Sequence, residues 1–216
     1  MTMINIDKRL EEYIENVILP FYEEKVKCHA TKHVRYVIRR SLEFAKQVKD
    51  QSINFDMVYA TAAFHDIGNS KDRTSHHIIG AEMFLADKVI PQFFSPEQMQ
   101  IISQAIQDHR ASTKHEPRNI YGKIVSSADR MTSVDEHMIT TYKHHEKYNP
   151  NYESDRETMI AECLQFTIDK YCDNGYAVTK IYFKDPENEK FLKELGELCK
   201  NKTRFKQRFL KANGLI

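Results

Sequence analysis

The stretch Asp56-Met57-Val58-Tyr59-Ala60-Thr61-Ala62-Ala63-Phe64-His65-Asp66-Ile67-Gly68 decides the fold. Met57, Val58, Ala60, Ala62, Ala63 and Phe64 put apolar groups on nearly every side of a helix. A helix that is apolar all round belongs at the centre of a domain. Gly68 stands where such a helix would stop. Two polar side chains, His65 and Asp66, therefore close the most buried segment of the chain.

Helical patterns surround this segment on both sides. Val34, Val37, Ile38, Phe44, Ala45 and Val48 form one apolar stripe, with Thr31 expected as its N-cap. Ser95-Pro96-Glu97-Gln98 combines a Ser cap, a Pro in the first turn and a Gln three residues on, and opens a helix that buries Ile101, Ile102, Ala105 and Ile106. Ile120, Ile124, Val125 and Ala128 recur with helical spacing after Pro117. Ser154 with Glu157 predicts a capping box on a helix that runs through Cys172 and is ended by Asn174-Gly175. Asp185-Pro186 opens another helix, carrying Phe191, Leu192, Leu195 and Leu198. The segment from Tyr176 to Phe183 reads either way, as a loop or a short extended piece. The expected fold is an all-α helical bundle.

Composition narrows the function classes. Leu, Ile, Val and Phe make up about a quarter of the chain, enough for a buried core. Lys and Arg number 32 against 31 Asp and Glu, so no basic field favours nucleic acid, and a nucleic-acid partner is not expected. The glycines (Gly68, Gly80, Gly122, Gly175, Gly196, Gly214) are dispersed, which excludes both the dinucleotide fingerprint and the Gly-rich phosphate loop. Charged residues from Asp7 to Glu12 leave no apolar leader, and no apolar run approaches a membrane span. A cytoplasmic protein without a membrane partner is expected. Cys28, Cys163, Cys172 and Cys199 show no C-x-x-C spacing and read as reduced thiols with packing roles.

The ten histidines are distributed in a pattern. His33 lies on the inward side of its helix, four residues before Val37. His65 and Asp66 end the apolar helix, His76 and His77 open the next one, and His109 ends a third. Asp129 follows Val125 by four, on an apolar face. A buried imidazole or carboxylate must be paired or bound to metal, because a lone buried charge is costly. Adjacent helix residues project about 100° apart, yet a carboxylate can bridge two neighbouring ions. Mixed His nitrogen and Asp oxygen suits Fe, Mn or Zn better than Ca. By contrast His137, His144 and His145, in a charged stretch, read as a solvated helix face. Lys200, Lys202, Arg204, Lys206, Arg208 and Lys211 read as a solvated basic face whose Phe205 and Phe209 dock inward.

The ordered set His33, His65-Asp66 and Asp129 resembles the HD-domain metal-dependent phosphohydrolases. Its context does too: Ala-Ala-Phe-His65-Asp66-Ile-Gly68, His76-x-x-x-Gly80-Ala81-Glu82, Ala-Ile-Gln-Asp-His109 and Ser-Ser-Ala128-Asp129-Arg130. The resemblance covers about residues 30–135. It implies an all-α domain with one or two divalent ions, Fe, Mn or Zn before Mg. His33, His65, Asp66 and Asp129 would hold the first ion, and Asp66, His76 and His109 a second. Asp66 and His109 are the implied catalytic residues, acting on water activated by metal as hydroxide. The implied substrate is a small phosphorylated molecule, a nucleotide or other phosphoester or phosphoanhydride. Many members carry Lys shortly after the doublet where this chain has Asn69, which leaves Lys71, Arg73, His77 and Arg130 as candidate phosphate contacts. Residues 1–150 are expected to form the hydrolase domain, and 151–216 a C-terminal helical extension packed on it. Two rival readings remain at this point, a di-iron oxygenase on the same fold and a non-catalytic nucleotide-binding module. Assembly into a homo-oligomer is left open.

Overall fold

The structure, a computed structural model, describes residues 4–26, 30–49, 52–148, 155–172 and 175–216. Every regular element among these residues is helical, in agreement with the all-α reading. The chain divides into two compact units, Met1–Asp129 and Arg130–Ile216. The boundary at 150/151 read from the sequence falls outside the described residues.

The first unit begins with helices that the sequence reading did not identify. Asp7 accepts a hydrogen bond from the Arg9 N–H and caps α1 (Lys8–Tyr13), which continues through a π-helical turn (Ile14–Ile18) into α2 (Leu19–Phe21) and a second π turn (Tyr22–Val26). Pro20 has no N–H to donate and would break a regular ladder. Wider π turns flank it instead, with the Leu19 N–H reaching Ile14 O. Leu10, Ile14, Ile18, Leu19 and Tyr22 are buried along this run.

Next come α3 (Ala30–Ala45), α4 (Phe55–Phe64), α5 (His76–Ala86), α6 (Pro96–Asp108) and α7 (Ile120–Ala128). The central helix is α4, packed against α3, α6 and α7, and every residue from Met57 to Phe64 is buried. The Asn54 side chain caps it by accepting from the Asp56 and Met57 N–H groups. Ser95 and Gln98 form the expected reciprocal capping box on α6, a device worth ~1 kcal/mol. Thr31, expected as an N-cap, lies inside α3 instead, and its hydroxyl donates to the Leu19 carbonyl at 3.3 Å.

Gly68 does more than stop α4. After His65 the chain tightens into a 3₁₀ turn (Ile67–Ser70), and Gly68 keeps a negative φ, so no left-handed cap is formed. A Cβ at this position would lie 2.1 Å from the His76 carbonyl oxygen and 2.7 Å from the Gly80 nitrogen. The missing side chain lets the start of α5 sit directly on the turn that carries Asp66.

The second unit holds α8 (Val134–Tyr148), α9 (Arg156–Tyr171), α10 (Pro186–Cys199) and α11 (Lys202–Ala212). Its core contains Val134, Met138, Leu164, Phe191, Leu195, Phe205 and Phe209. Asp185 caps α10 as expected, by accepting from the Asn188 N–H. The cap of α9 is Asp155, which accepts from the Thr158 N–H, one residue beyond the predicted Ser154, itself outside the described residues. Tyr176–Phe183 is turn and bend, with no strand. Phe205 and Phe209 are buried, while Arg208 pairs with Asp135 at 2.7 Å and Lys206 with Glu157. Cys163, Cys172 and Cys199 are free thiols, and Cys28 lies outside the described residues. Among the described residues no helix is long and apolar enough to cross a membrane.

One histidine in this unit corrects the sequence reading. His137 is not on a solvated face: it is 2 % exposed, with the rings of Tyr171 and Phe191 edge-on to it. Thr167 donates its hydroxyl to the Cys163 carbonyl, so its oxygen is free to accept the His137 Nε2–H at 2.9 Å. His144 is exposed and His145 lies 3.4 Å from Glu162.

Candidate metal centre

Five α-helices and the 3₁₀ turn that follows α4 deliver six side chains of the first unit to one place. His33 comes from the first turn of α3, His65 caps the C-terminus of α4, and Asp66 starts the 3₁₀ turn. His76 is the first residue of α5, and His109 and Asp129 cap the C-termini of α6 and α7. All six sequence-predicted ligand residues are thus brought together.

The atoms fall into two groups that share Asp66. On one side, His33 Nε2 lies 3.3 Å from His65 Nε2, 3.1 Å from Asp129 Oδ1 and 3.8 Å from Asp66 Oδ2. His65 Nε2 is 3.7 Å from that same Asp66 oxygen. On the other side, Asp66 Oδ1 lies 3.2 Å from His76 Nε2 and 3.7 Å from His109 Nε2, which are 3.2 Å from each other. Two donors each ~2.1 Å from one ion, at right or tetrahedral angles, stand ~3.0–3.4 Å apart. The spacing of both groups is therefore close to that of ligand shells, and each contains three residues able to hold an ion: His33, His65 and Asp66, and Asp66, His76 and His109.

Hydrogen bonding sets the donor character of the rings. His65 Nδ1 meets the Ala62 carbonyl at 2.7 Å, His76 Nδ1 the Arg73 carbonyl at 2.6 Å, and His109 Nδ1 the Ile106 carbonyl at 2.7 Å. A carbonyl only accepts, so each Nδ1 carries the proton and each Nε2 presents a lone pair inward. Two such lone pairs facing each other at 3.2 Å, as in His76 and His109, repel unless a cation lies between them. The donor set fits a divalent metal on that ground.

Burial and charge act together on the acids. Burial pushes the Asp66 carboxyl up, but His65, His109 and His33 outweigh it and hold it below the usual carboxylate range. Burial likewise opposes ionisation of Asp129, and the hydrogen bond and charge of His33 overcome it and leave its pKa strongly lowered. Burial, followed by the neighbouring His65, takes His109 down to about 4. His65 and His109 are fully or almost fully buried, whereas the His33 side chain is 41 % exposed, so the cluster opens to solvent on its His33 side.

Buried donors support the helix ends that carry the candidate ligands. Tyr22, fully buried, donates its hydroxyl to the Ala63 carbonyl at 2.9 Å, at the end of α4. Arg40, 2 % exposed, donates to the Ala128 carbonyl at 2.9 Å, immediately before Asp129. The last carbonyls of a helix have no partner within it, and these two side chains supply one.

Residues 31–133 match the family model described as HD domain. The chain carries an HD domain. No curated protein and no solved structure matches the chain. HD domains bind divalent metals and are for the most part hydrolases, and the two ligand groups lie inside the matched residues of this one.

The candidate phosphate contacts are placed unevenly around the HD domain. Lys71 and Arg73 are exposed on the loop before α5, and the Arg73 backbone carbonyl supports His76. His77 Nδ1 lies 3.5 Å from Arg110 Nη1, and the His77 ring packs edge-on to that of His76 at 5.6 Å between centroids. With Asp108, His77 lines a cleft of about 490 Å³ whose walls include Thr113, His115, Glu116 and Arg118. Arg130 belongs to the second unit, where it is 7 % exposed and donates to the Lys180 carbonyl at 3.3 Å. Arg110, not singled out from the sequence, donates to the Thr74 carbonyl at 2.6 Å. Its signal was its position, directly after His109.

Proposed function

We propose that this chain is a metal-dependent phosphohydrolase acting on a nucleotide or another small phosphorylated molecule. The observation that supports this best is the division of the Asp66 carboxylate, with Oδ2 facing His33 and His65 and Oδ1 facing His76 and His109. In this reading His33, His65, Asp129 and Asp66 hold one ion, and Asp66, His76 and His109 hold the other, with Fe, Mn or Zn favoured by the mixed N/O donors. Metals bound there supply Lewis acidity to a phosphoryl oxygen and lower the pKa of water to ~7.

The chain's own groups have distinct tasks. Asp66, partly open to solvent, orients the attacking water and can accept its proton. Tyr22 and Arg40 fix the helix ends that carry Asp66 and Asp129. His109 is assigned to ligation alone: its Nδ1 proton is committed to the Ile106 carbonyl and its Nε2 faces Asp66 and His76, so it has no proton for a leaving group. Hydrolysis adds water across a P–O bond, with the hydroxyl retained on phosphorus and the electron pair departing on the bridging oxygen.

The test is metal analysis of the purified protein, followed by turnover on a panel of nucleotides, sugar phosphates, p-nitrophenyl phosphate and pyrophosphate. At least one ion per chain, phosphate release that a chelator abolishes, and an inactive Asp66→Ala variant with unchanged circular dichroism are expected. Metal-replete protein that releases no phosphate from the whole panel refutes the reading. Substrate-dependent dioxygen uptake would establish the oxidative alternative instead.

A further inference from the structure

We propose that Arg110 is a second phosphate-binding group beside the metal centre, selecting substrates with two adjacent phosphoryl groups, that is, phosphoanhydrides. This inference rests on the phosphohydrolase reading and narrows its substrate class.

Position comes first. Arg110 directly follows His109, and its Nη1 donates to the Thr74 carbonyl at 2.6 Å and lies 3.5 Å from His77 Nδ1, on the residue directly after His76. Arg110 therefore links the residue that follows His109 to the residue that follows His76, the two histidines that face Asp66 Oδ1. Both of its hydrogen bonds among the described residues use Nη1, which leaves Nε and Nη2 without a protein partner there. No carboxylate pairs with it among the described residues. Arg118, by contrast, is held by Asp108 through Nε and Nη2 at 2.9 Å each, and Arg35 is held by Glu15. A half-buried guanidinium anchored by one nitrogen, with its other edge unclaimed, suits a phosphate, which takes such an edge in a bidentate fashion.

Local charge agrees. Lys71 and Arg73 are exposed on the loop next to Thr74 and make no ion pair among the described residues, while the intervening Asp72 carboxylate is taken up by the Ser75 N–H and hydroxyl. Two exposed cations thus share the loop of Thr74, the residue whose carbonyl accepts from Arg110 Nη1.

The chemistry of the leaving group points the same way. His65, His76 and His109 direct lone pairs, not protons, into the cluster. An alkyl phosphoester expels an alkoxide, a base of about the strength of hydroxide that needs a proton donor. A phosphoanhydride expels a phosphate, whose pKa is ~6, so the bridging oxygen can leave with its electron pair unprotonated. The second phosphate then carries the developing charge, and the guanidinium offsets it.

The alternative role of Arg110 is a strap that ties the start of α5 to the end of α6 through Thr74. Arg110→Gln separates the two, because it keeps an N–H donor for that carbonyl and removes the charge. Arg110→Lys keeps the charge and loses the fork. Isothermal titration of the metal-loaded protein with methylenediphosphonate, which cannot be hydrolysed, and with inorganic phosphate is the measurement, with metal content and circular dichroism recorded for each variant. Wild type is expected to bind the diphosphonate at least about tenfold more tightly than phosphate. Arg110→Gln should lose about ten- to a hundredfold of diphosphonate affinity, the loss of a charge-assisted pair, but less than about threefold of phosphate affinity, and Arg110→Lys should fall between. Wild-type diphosphonate affinity in Arg110→Gln, or an equal loss for both ligands, overturns the proposal. If wild type binds phosphate and cleaves phosphomonoesters without preferring the diphosphonate, this inference fails and the phosphohydrolase reading stands. If the metal-loaded protein binds neither ligand and cleaves nothing, both fail together.

Discussion

Replacing His137 by Gln should flatten the acid sensitivity of the protein. Burial, with the Lys170 charge adding to it, lowers the His137 imidazole from 6.5 to about 4. The folded state therefore holds the ring neutral where the unfolded chain would protonate it, and protonation favours unfolding. This contribution to stability is complete above pH ~6.5 and is lost as pH falls towards 4, reaching about 3.4 kcal/mol at most, since each pKa unit is worth 1.36 kcal/mol. At pH 5.5 the unfolded form gains about 1.4 kcal/mol from this one group, and at pH 5.0 about 2 kcal/mol. Gln keeps an N–H donor for Thr167 Oγ1 and does not titrate. Urea unfolding of metal-loaded wild type and His137→Gln, followed by far-ultraviolet circular dichroism at pH 7.5 and 5.5, gives the difference in pH dependence, and subtraction removes every other titrating group. The expected excess loss in wild type is about 1.4 kcal/mol. An NMR titration of the His137 ring supplies a second reading, with the resonance remaining that of the neutral form at pH 5.5. Identical pH dependence in the two proteins, or a His137 resonance titrating near 6.5, would refute the reasoning.

Two further predictions concern the metal centre. His76→Ala and His109→Ala should each lower metal content by about one ion per chain and retain the other, because each removes a ligand from the Asp66 Oδ1 side only; mass-spectrometric metal analysis of both variants decides this, and an unchanged content would take both residues off the ligand list. Gly68→Ala should cost at least ~3 kcal/mol and weaken metal retention, since its Cβ would meet the His76 backbone oxygen at 2.1 Å and backbone must move; a variant that melts and binds metal like wild type would show that the turn yields without disturbing the site.

The sequence was most informative where a structural signal is local. The all-round apolar α4, the Ser95 box and the Asp185 cap each depend on residues within one or two turns, and each occurs where expected. His137 was misread because Lys143, His144 and Lys147 give its neighbourhood a charged composition. Its own face says otherwise, since Val134, His137 and Met138 share helical spacing and all three are buried. The α1–α2 run escaped notice for a related reason: Pro20 interrupts the pattern, and only π turns, which no simple periodicity reveals, restore the alignment of Leu10, Ile14 and Leu19. The six candidate ligand residues could be named because the resemblance ordered them. Which Asp66 oxygen faces which histidines could not, because that depends on the 3₁₀ turn and on the close approach of His76 to Gly68.

One hydrogen-bond pattern ties fold to site. Helix C-termini leave carbonyls without partners, and His65 and His109, each just past the end of its helix, donate Nδ1–H to the carbonyl three residues back. That bond caps the helix, fixes the tautomer and orients the ring, so Nε2 can only point away from the helix as an acceptor. His76 uses the same spacing at the start of α5, with the Arg73 carbonyl as acceptor. The carboxylates follow a similar logic, since Asp66 and Asp129 lie just beyond helix ends whose carbonyls Tyr22 and Arg40 hold. The six side chains are clustered because helix ends converge, and His65, His76 and His109 present acceptors because carbonyls at or beside those ends have already taken their ring protons. A histidine three residues beyond a free helix carbonyl, at the end of an all-apolar helix, is thus a stronger metal signal than a histidine on a helix face. His137, on the face of α8 and bonded to a hydroxyl, shows the contrast within the same chain.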